Sequence, residues 1–187
     1  MIRGERVTLR PIDAEEDLER CFAWVNDLEV TYFLGIEGPI GRHREREYLA
    51  SERDPQRGLM FAIVAEDGTH IGNCGLDTGH SPSHKASIGI MIGNKRYWGQ
   101  GYGTDAIKTL CAFGFVRMNL QRIELGVFSH NPRAQRCYEK CGFKVEGRFR
   151  RSIYKAGEYR DEIRMAILRE EFMALFPERV PEGMSET

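Results

Sequence analysis

A glycine-rich segment over residues 98–104 is the part of this sequence whose composition points most directly to chemistry. It carries glycines at Gly99, Gly101 and Gly103, between an aliphatic run and a run with helical periodicity. This order predicts a loop that joins a strand to a helix. Main-chain N–H groups at such a helix N-terminus bind anions, above all phosphate groups. On spacing alone, a tight turn without a ligand is the alternative.

Two common nucleotide-binding motifs do not fit this loop. A dinucleotide fingerprint has the spacing G-x-G-x-x-G directly after a first strand, whereas this loop has G-x-G-x-G at the end of a predicted three-stranded antiparallel meander. A P-loop needs a lysine followed by Ser or Thr after its last glycine, but Thr104 and Asp105 follow Gly103. The general physics still predicts a pyrophosphate site at the amides of residues 100–104.

A second candidate pair, Asn131 and Tyr138, lies seven residues apart on a short predicted helix. Seven residues are close to two helical turns, so both side chains project from nearly the same face. Asn131 followed by Pro132 is also a typical helix start, and Gly142 a typical helix end. The helix pattern alone therefore favours Asn131 as an N-cap and Tyr138 as a core aromatic residue.

The elements that must position these residues alternate along the chain as β, α, α, β, β, β, α, β, α, β, β, with a helix at the end. Strands are predicted at residues 6–11, 59–65, 71–76, 87–92, 122–128, 144–154 and 159–168. Apolar residues at helical spacing predict helices around residues 18–25, 107–118 and 172–175. A polar helix is predicted around residues 42–52, and the capping residues predict the helix at 132–141. This order predicts a mixed sheet of α/β type.

Composition limits the classes of protein to consider. A chain of 187 residues with a net charge of −1 suits one domain and gives no basic surface for nucleic acid, which is an unlikely partner. We expect residues 1–176 as the core and 177–187 as a flexible tail. No run approaches the roughly 20 apolar residues of a membrane span, and the N-terminus resembles no secretory signal, so a cytoplasmic location is expected.

The five cysteines are expected to be reduced thiols, because their number is odd and no export signal precedes them. Cys137 and Cys141 lie four residues apart, but no further Cys or His stands nearby at a ligand-like spacing. No metal is predicted, and buried small hydrophobic residues are the better interpretation of this pair.

The strings ASIGIMIGNKRYWGQGYGTDAI and FSHNPRAQRCYEKCGFKVEGR resemble the GNAT superfamily of N-acetyltransferases, in particular its RimJ/RimL-like branch. The resemblance extends to GERVTLRPIDAEEDLERCFAWVND and YRDEIRMAILREEF, and so covers nearly the whole chain. It implies one α/β (α+β) domain whose mixed, mostly antiparallel and twisted sheet of about seven strands splays around a coenzyme, flanked by about four helices. The family loop pattern maps onto residues 98–103, where Trp98 departs from the first position.

The resemblance implies that acetyl-CoA binds between the strand before the glycine loop and the strand after its helix, without a metal. It assigns Tyr138 as the general acid for the leaving thiolate, and Asn131 as a hydrogen-bond partner of the pantetheine arm or of an ordered water. The oxyanion would meet a main-chain N–H of the strand. The further coenzyme contacts are expected at Ile90, Met91, Ile92, Trp98, Gly99, Gln100, Gly101, Tyr102, Gly103 and Thr104.

The general base and the acceptor are less determined. Ser87 stands where relatives often have Glu, which leaves Glu124, Asp77, His130, Asp161 or a chain of waters as alternatives. The acceptor is a primary amine: a protein N-terminus, a polyamine, an amino acid or an aminoglycoside. The side chains expected to meet it are Asp27, Glu37, Asp77, Tyr159 and Asp161.

The sequence leaves open two other classes of protein and one oligomeric state. A noncatalytic acyl-CoA sensor would keep the loop but lack an acceptor pocket, and the missing Glu at Ser87 favours it. A nucleotide-binding protein would use the loop for ATP, but the sequence lacks a P-loop lysine and a magnesium-binding Ser or Thr beside the glycines. A homodimer is also left open.

Overall fold

Eight strands form one sheet in the computed structural model, which describes residues 1–36, 38–51, 58–79 and 82–179. The strands are β1 (Ile2–Arg3), β2 (Val7–Pro11), β3 (Gly58–Ala65), β4 (His70–Asp77), β5 (Lys85–Ile92), β6 (Arg122–Phe128), β7 (Lys144–Lys155) and β8 (Glu158–Leu168). Their order is β1-β2-β3-β4-β5-β6-β8-β7, and the neighbours are antiparallel except for β5 and β6. The mixed, mostly antiparallel sheet is confirmed. The sequence pattern missed β1, which is too short to show alternation.

Six helices accompany the sheet within the described ranges. They are α1 (Leu18–Val25), α2 (Leu28–Thr31), α3 (Arg42–Ala50), α4 (Tyr102–Arg117), α5 (Pro132–Lys140) and α6 (Arg169–Leu175). The single-turn α2 was not predicted, because four residues are too few for a helical periodicity. Of the predicted tail, residues 177–179 form a 3-10 turn, and residues 180–187 lie outside the described residues.

The core lies between α4 and the sheet. The predicted apolar stripe of α4 is buried there, with Ile107, Leu110 and Phe115 almost completely removed from solvent. α4 contacts β2, β4 and β5. Burial of its apolar stripe holds the helix against the sheet, and this fixes the position of the glycine loop at the helix N-terminus. A smaller apolar cluster joins Leu18 of α1 to Leu49 of α3.

The pairing of β5 with β6 is short. Only Lys85–Ser87 of β5 pair with Arg122–Glu124 of β6, in parallel. Beyond this point β5 remains paired with β4 as far as Ile92, and β6 remains paired with β8 as far as Phe128. The two strands therefore diverge, and their facing edges leave main-chain groups free for a ligand.

Asp105, in the first turn of α4, ties the glycine loop to the N-terminus of the chain. Its carboxylate accepts hydrogen bonds from the N–H groups of Glu5, Arg6 and Val7 at 3.2, 2.8 and 3.0 Å. The Arg179 guanidinium pairs with it at 2.8 Å. Burial alone would raise the pKa of Asp105, but the Arg6 N–H and Arg179 hold that pKa below its usual value.

We expect Asp105→Asn to lower the free energy of unfolding by about 3 kcal/mol at pH 7, because it removes the buried carboxylate beside Arg179 and leaves that guanidinium paired with the exposed Glu5. The folded-state pKa lies below the unfolded value of about 3.9, so the carboxylate stabilises the fold above that pH. Its contribution is lost as the pH falls through the folded-state pKa. Urea unfolding at pH 7 and at pH 3 measures both effects.

The difference between the two proteins should shrink at pH 3. An exposed carboxylate, Glu158, whose side chain pairs with Arg160 at the surface, provides the control, and Glu158→Gln should unfold like the parent protein. Equal stability of Asp105→Asn and the parent at pH 7 would contradict this account of the network.

Candidate active site

The opening between β5 and β6 holds a cleft, which we call the large cleft, with a volume of about 1030 Å³. Residues 88–92 of β5, the glycine loop, and parts of the segments 28–35 and 131–140 line it. Of the residues predicted from the sequence to contact a coenzyme, the large cleft is lined by Ile90, Met91, Ile92, Trp98, Gly99, Gly101, Gly103, Thr104, Asn131 and Tyr138.

The glycine loop presents main-chain amides at the N-terminus of α4. Gly99 and Gly101 adopt φ angles of 74° and 90°, a left-handed conformation that other residues rarely adopt. No described residue accepts a hydrogen bond from the N–H groups of residues 99–104. Free amides and the positive end of the helix dipole give this loop the chemistry of an anion site.

Gln100 and Tyr102 direct their side chains elsewhere. The Gln100 amide group donates to the Arg96 carbonyl oxygen at 2.5 Å. The Tyr102 ring is buried and lies 4.2 Å from the guanidinium carbon of Arg6. Arg6 also donates a hydrogen bond to the Gln100 carbonyl oxygen. Only the main chain of these two residues is therefore available at the loop, which fits the expectation that the loop acts through its amides.

The edge of β5 offers a main-chain donor to the large cleft. Trp98 Nε1 donates to the Ile92 carbonyl oxygen at 2.7 Å, so the main chain of Ile92 faces away from β4. Main-chain groups alternate along a strand, and Ile90 therefore faces the same side. The carbonyl oxygen of Met91 lies on the opposite side, against Gly72 of β4. The N–H groups of Ile90 and Ile92 thus both face the divergence.

Asn131 and Tyr138 both reach the large cleft from α5. Asn131 Oδ1 accepts from the Ala134 N–H at 3.1 Å, which is the predicted N-cap contact. The amide NH₂ group of Asn131 contacts no acceptor among the described residues. Tyr138 is 9% exposed, packs on Phe143, and makes no hydrogen bond through its hydroxyl to a described residue. Burial raises the pKa of Tyr138, so the hydroxyl stays protonated.

Cys137 is a thiol at the floor of the large cleft. Its sulfur lies 3.2 Å from Thr104 Oγ1, at the first turn of α4. Hydrogen bonds with Cys141 and Thr104 hold the pKa of Cys137 below the usual value of a thiol. The other four cysteines are buried.

A second cleft, which we call the small cleft, has a volume of about 560 Å³ and is lined by α3, β4 and β5. It shares Leu34 and residues 88–91 with the large cleft. The two clefts therefore meet at β5. Gly89 lies at this junction without a side chain, and a Cβ atom placed there would meet no atom within 4 Å.

Glu45 of α3 is the functional candidate that the sequence interpretation missed. It lines the small cleft and is 4% exposed. Its carboxyl group makes no hydrogen bond or ion pair with any described residue, and burial raises its pKa. A weak signal was present in the sequence, because Glu45 lies four residues before Leu49 and so shares the buried face of a polar helix.

Two of the candidate bases are held as anions by neighbouring cations. Glu124 pairs with Arg122 at 2.9 Å and with Lys85 at 3.3 Å, which lowers its pKa. Asp161 accepts from the Arg151 N–H at 2.7 Å and from Arg148, and its pKa is lowered too. Carboxylates held in this way are weak bases.

The remaining acceptor candidates separate in space. Asp77 lines the small cleft. Asp27 caps α2 and pairs with Lys95 at 2.8 Å, and its side chain lines neither cleft. Tyr159 is exposed on the terminal hairpin and lines neither the large nor the small cleft. Asp161, on the same hairpin, also lines neither of them. Glu37 lies outside the described residues.

His130 lies behind the large cleft rather than on its wall. Its ring packs against Tyr32, Phe33 and Phe128 at centroid distances of 5.7, 5.4 and 5.6 Å. Burial lowers the pKa of His130, and its Nδ1 has no hydrogen-bond partner among the described residues. All three of these rings line the large cleft, whereas His130 itself does not.

Within the described ranges, no three His, Cys, Asp or Glu side chains gather closely enough to hold a metal ion. None of the helices found there combines the length and hydropathy that crossing a bilayer requires.

Comparison with known proteins decides the family. The acetyltransferase (GNAT) domain family matches residues 6–144. This chain belongs to the GNAT acetyltransferase family. The resemblance seen in the sequence is therefore confirmed at the level of the family, and so is the prediction of an acetyltransferase enzyme.

Individual GNAT relatives cover almost the whole chain. The uncharacterized N-acetyltransferase YnaD of Bacillus subtilis is 36% identical over 171 residues, covering 91% of this chain and 98% of the relative. The spermidine N(1)-acetyltransferase of Escherichia coli K12 is 30% identical over 174 residues, covering 93% and 92%.

Solved GNAT structures share the fold. An acetyltransferase of the GNAT family from Bacillus anthracis superposes with a TM-score of 0.78 at 26% identity, covering 91% of this chain and 99% of that one. The spermidine N-acetyltransferase of Vibrio cholerae, solved in complex with CoA and spermine, gives a TM-score of 0.83 at 24% identity, covering 89% and 98%.

We expect Cys137 to be the one rapidly alkylated thiol among the five, because it lines a cleft and its pKa is lowered. Iodoacetamide labelling followed by mass spectrometry between pH 5.5 and 9 should give a midpoint below about pH 8.5, the usual thiol value. The Cys137→Ser variant should lose this fast phase. A fast phase that survives in the variant, or a midpoint above about pH 8.5, the usual thiol value, would contradict the assignment.

Proposed function

We propose that this GNAT enzyme transfers the acetyl group of acetyl-CoA directly to a primary amine, with both substrates bound together. The observation that supports this most is the meeting of the two clefts at residues 88–91. A donor in the large cleft and an acceptor in the small cleft would approach each other at Gly89. Holding both substrates in this alignment offsets much of the entropy cost of bringing two molecules together.

Main-chain groups would bind the coenzyme. The amides of residues 99–104 suit its pyrophosphate, because they are free and lie at a helix N-terminus. The free NH₂ group of Asn131 suits a carbonyl of the pantetheine arm. Acetyl-CoA supplies the thioester, and the N–H of Ile90 would stabilise the negative charge that develops on the carbonyl oxygen.

Tyr138 would assist the departure of the thiolate. Its raised pKa keeps the hydroxyl protonated at neutral pH, as a proton donor requires. A thiol has a pKa near 8.5, so complete proton transfer from this phenol to the thiolate is uphill. Tyr138 therefore acts by donating a hydrogen bond to the sulfur as charge develops, and it keeps its proton.

The amine must lose a proton before it attacks. With a pKa near 10.4, only about one primary amine in a thousand is neutral at pH 7. Of the four base candidates from the sequence, Glu124, His130 and Asp161 line neither cleft, and Asp77 alone lines the small one. The apolar wall of this cleft also favours the neutral amine, because burial disfavours the charged form.

Finer assignments stay predictions. The RimJ/RimL-like branch and a protein N-terminus as acceptor have no support in the relatives' names, which include spermidine and an L-amino acid. The cytoplasmic location and the homodimer stay predictions too. The presence of the small cleft favours an enzyme over an acyl-CoA sensor, which would need no acceptor pocket.

Tyr138→Phe should lower kcat by about 100-fold, in the range expected for loss of a proton donor. The dissociation constant of acetyl-CoA should change little, because the ring remains. Release of CoA thiol measures kcat, and calorimetry measures binding. Tyr154→Phe, at an exposed tyrosine of the terminal hairpin, is the matched control and should behave like the parent. Equal kcat in Tyr138→Phe and the parent would exclude the role.

Gly89→Leu should abolish acetyl transfer while leaving the fold intact. The backbone at Gly89 has open space for a side chain, and that side chain would fill the junction of the two clefts. Gly147→Leu is the control, since Gly147 lies on β7 with similar open space. Circular dichroism and thiol release measure the two properties. Normal turnover in Gly89→Leu would show that the substrates meet elsewhere.

A further inference from the structure

The wall of the small cleft is largely apolar. Its aliphatic side chains come from α1, the segment after α2, β3, β4 and β5 and include Val25, Leu34, Ile36, Ile40, Met60 and Leu76. Several of these residues would lose contact with water when a ligand with an apolar body enters. Burial of apolar surface is the main favourable contribution to binding such a ligand.

A single buried carboxyl group interrupts this wall. Asp17, Glu45 and Asp105 are the carboxylates buried in the described part of the chain. Asp17 accepts hydrogen bonds from Arg10 at 2.6 and 2.8 Å, and Asp105 pairs with Arg179. Glu45 differs from both, because its carboxyl group has no described partner and lines a cleft.

The other charged side chains of the small cleft are exposed. They are Arg44 and Asp77, of which Asp77 follows the last buried residue of β4 and Arg44 precedes Glu45 on α3. They therefore lie where water screens them. The interior of the cleft presents one carboxyl group in an apolar surrounding, and a buried carboxylate is stable only when a cation or hydrogen-bond donors accompany it.

The structure assigns Glu45 as the group that binds the acceptor amine, and we propose that the acceptor is a monoamine with an apolar body, such as an arylalkylamine. This inference rests on the proposed function, since it identifies the substrate class of the same site. The ammonium group would donate hydrogen bonds to the Glu45 carboxylate while the apolar body contacts the aliphatic wall. One ammonium proton then passes to that carboxylate, and the nitrogen lone pair forms the C–N bond as the C–S bond of the thioester breaks. The second proton of the nitrogen neutralises the leaving thiolate.

A polyamine fits this cleft less well. Spermidine carries further ammonium groups, and the described wall offers them no second buried carboxylate. Each would have to leave water for an aliphatic surface, which is unfavourable without a partner. This chain should therefore differ in acceptor preference from the spermidine acetyltransferases to which it is similar.

A panel of acceptors tests the substrate class. CoA thiol release is measured with acetyl-CoA and 2-phenylethylamine, hexylamine, putrescine or spermidine. We expect kcat/KM for 2-phenylethylamine to exceed that for spermidine at least tenfold. A preference for spermidine would overturn the inference and leave the proposed function in place. Binding of acetyl-CoA without thiol release from any amine would overturn the proposed function itself.

The variant Glu45→Gln tests the residue, because it keeps the shape and removes the charge. We expect kcat/KM for 2-phenylethylamine to fall at least tenfold, with the acetyl-CoA dissociation constant unchanged. Glu47→Gln, on the same helix with an exposed side chain that contacts His43, is the matched control and should keep the parent kcat/KM. Equal kcat/KM in Glu45→Gln and the parent would overturn the assignment.

Calorimetry separates a binding role from a structural one. In the presence of CoA, 2-phenylethylamine should bind the parent protein and bind Glu45→Gln at least tenfold more weakly. The thermal midpoint of Glu45→Gln should equal or exceed that of the parent, because the variant removes an unpaired buried acid. A lower midpoint with unchanged amine binding would mean that Glu45 stabilises the fold and does not bind the acceptor.

Discussion

The divergence of β5 from β6 is the constraint on which the rest of this structure depends. The strands pair only at Lys85–Ser87 and Arg122–Glu124, and each is then held by its other neighbour. Main-chain groups on the facing edges must find other partners. The Trp98 indole satisfies the Ile92 carbonyl oxygen, and the N–H of Ile90 faces the opening. An extended ligand rich in amide groups suits such an edge, which agrees with a pantetheine arm.

Buried charges then place the loops around this opening. Asp105 anchors the segment 5–7 to the first turn of α4, and Arg6 of that segment donates to the Gln100 carbonyl oxygen. The loop that presents its amides is thereby fixed before any ligand arrives, and preorganisation of this kind lowers the entropy cost of binding. Glu45 is the exception among the buried carboxylates, since its expected partner is a substrate.

Much of the fold was accessible from sequence because its signals are local. The apolar stripe predicted α4, and Asn131, Pro132 and Gly142 predicted the limits of α5. β1 and α2 were missed because they are too short to show a period. In the candidate site, the glycines predicted the anion-binding loop and helix spacing predicted the shared face of Asn131 and Tyr138, whereas only the family resemblance implied the cleft between the strands. Glu45 was missed, and Tyr159 was expected near the acceptor, because tertiary packing and hairpin position determine which polar side chains reach a cleft.

A crystal structure of the protein with coenzyme A bound would test the central claim most directly. The account predicts the pyrophosphate on the amides of residues 99–104 and the pantetheine arm along the edge of β5. The sulfur should lie beside the Tyr138 hydroxyl, at the junction of the large and small clefts. Coenzyme A in the small cleft, or a pyrophosphate bound away from the glycine loop, would contradict the account.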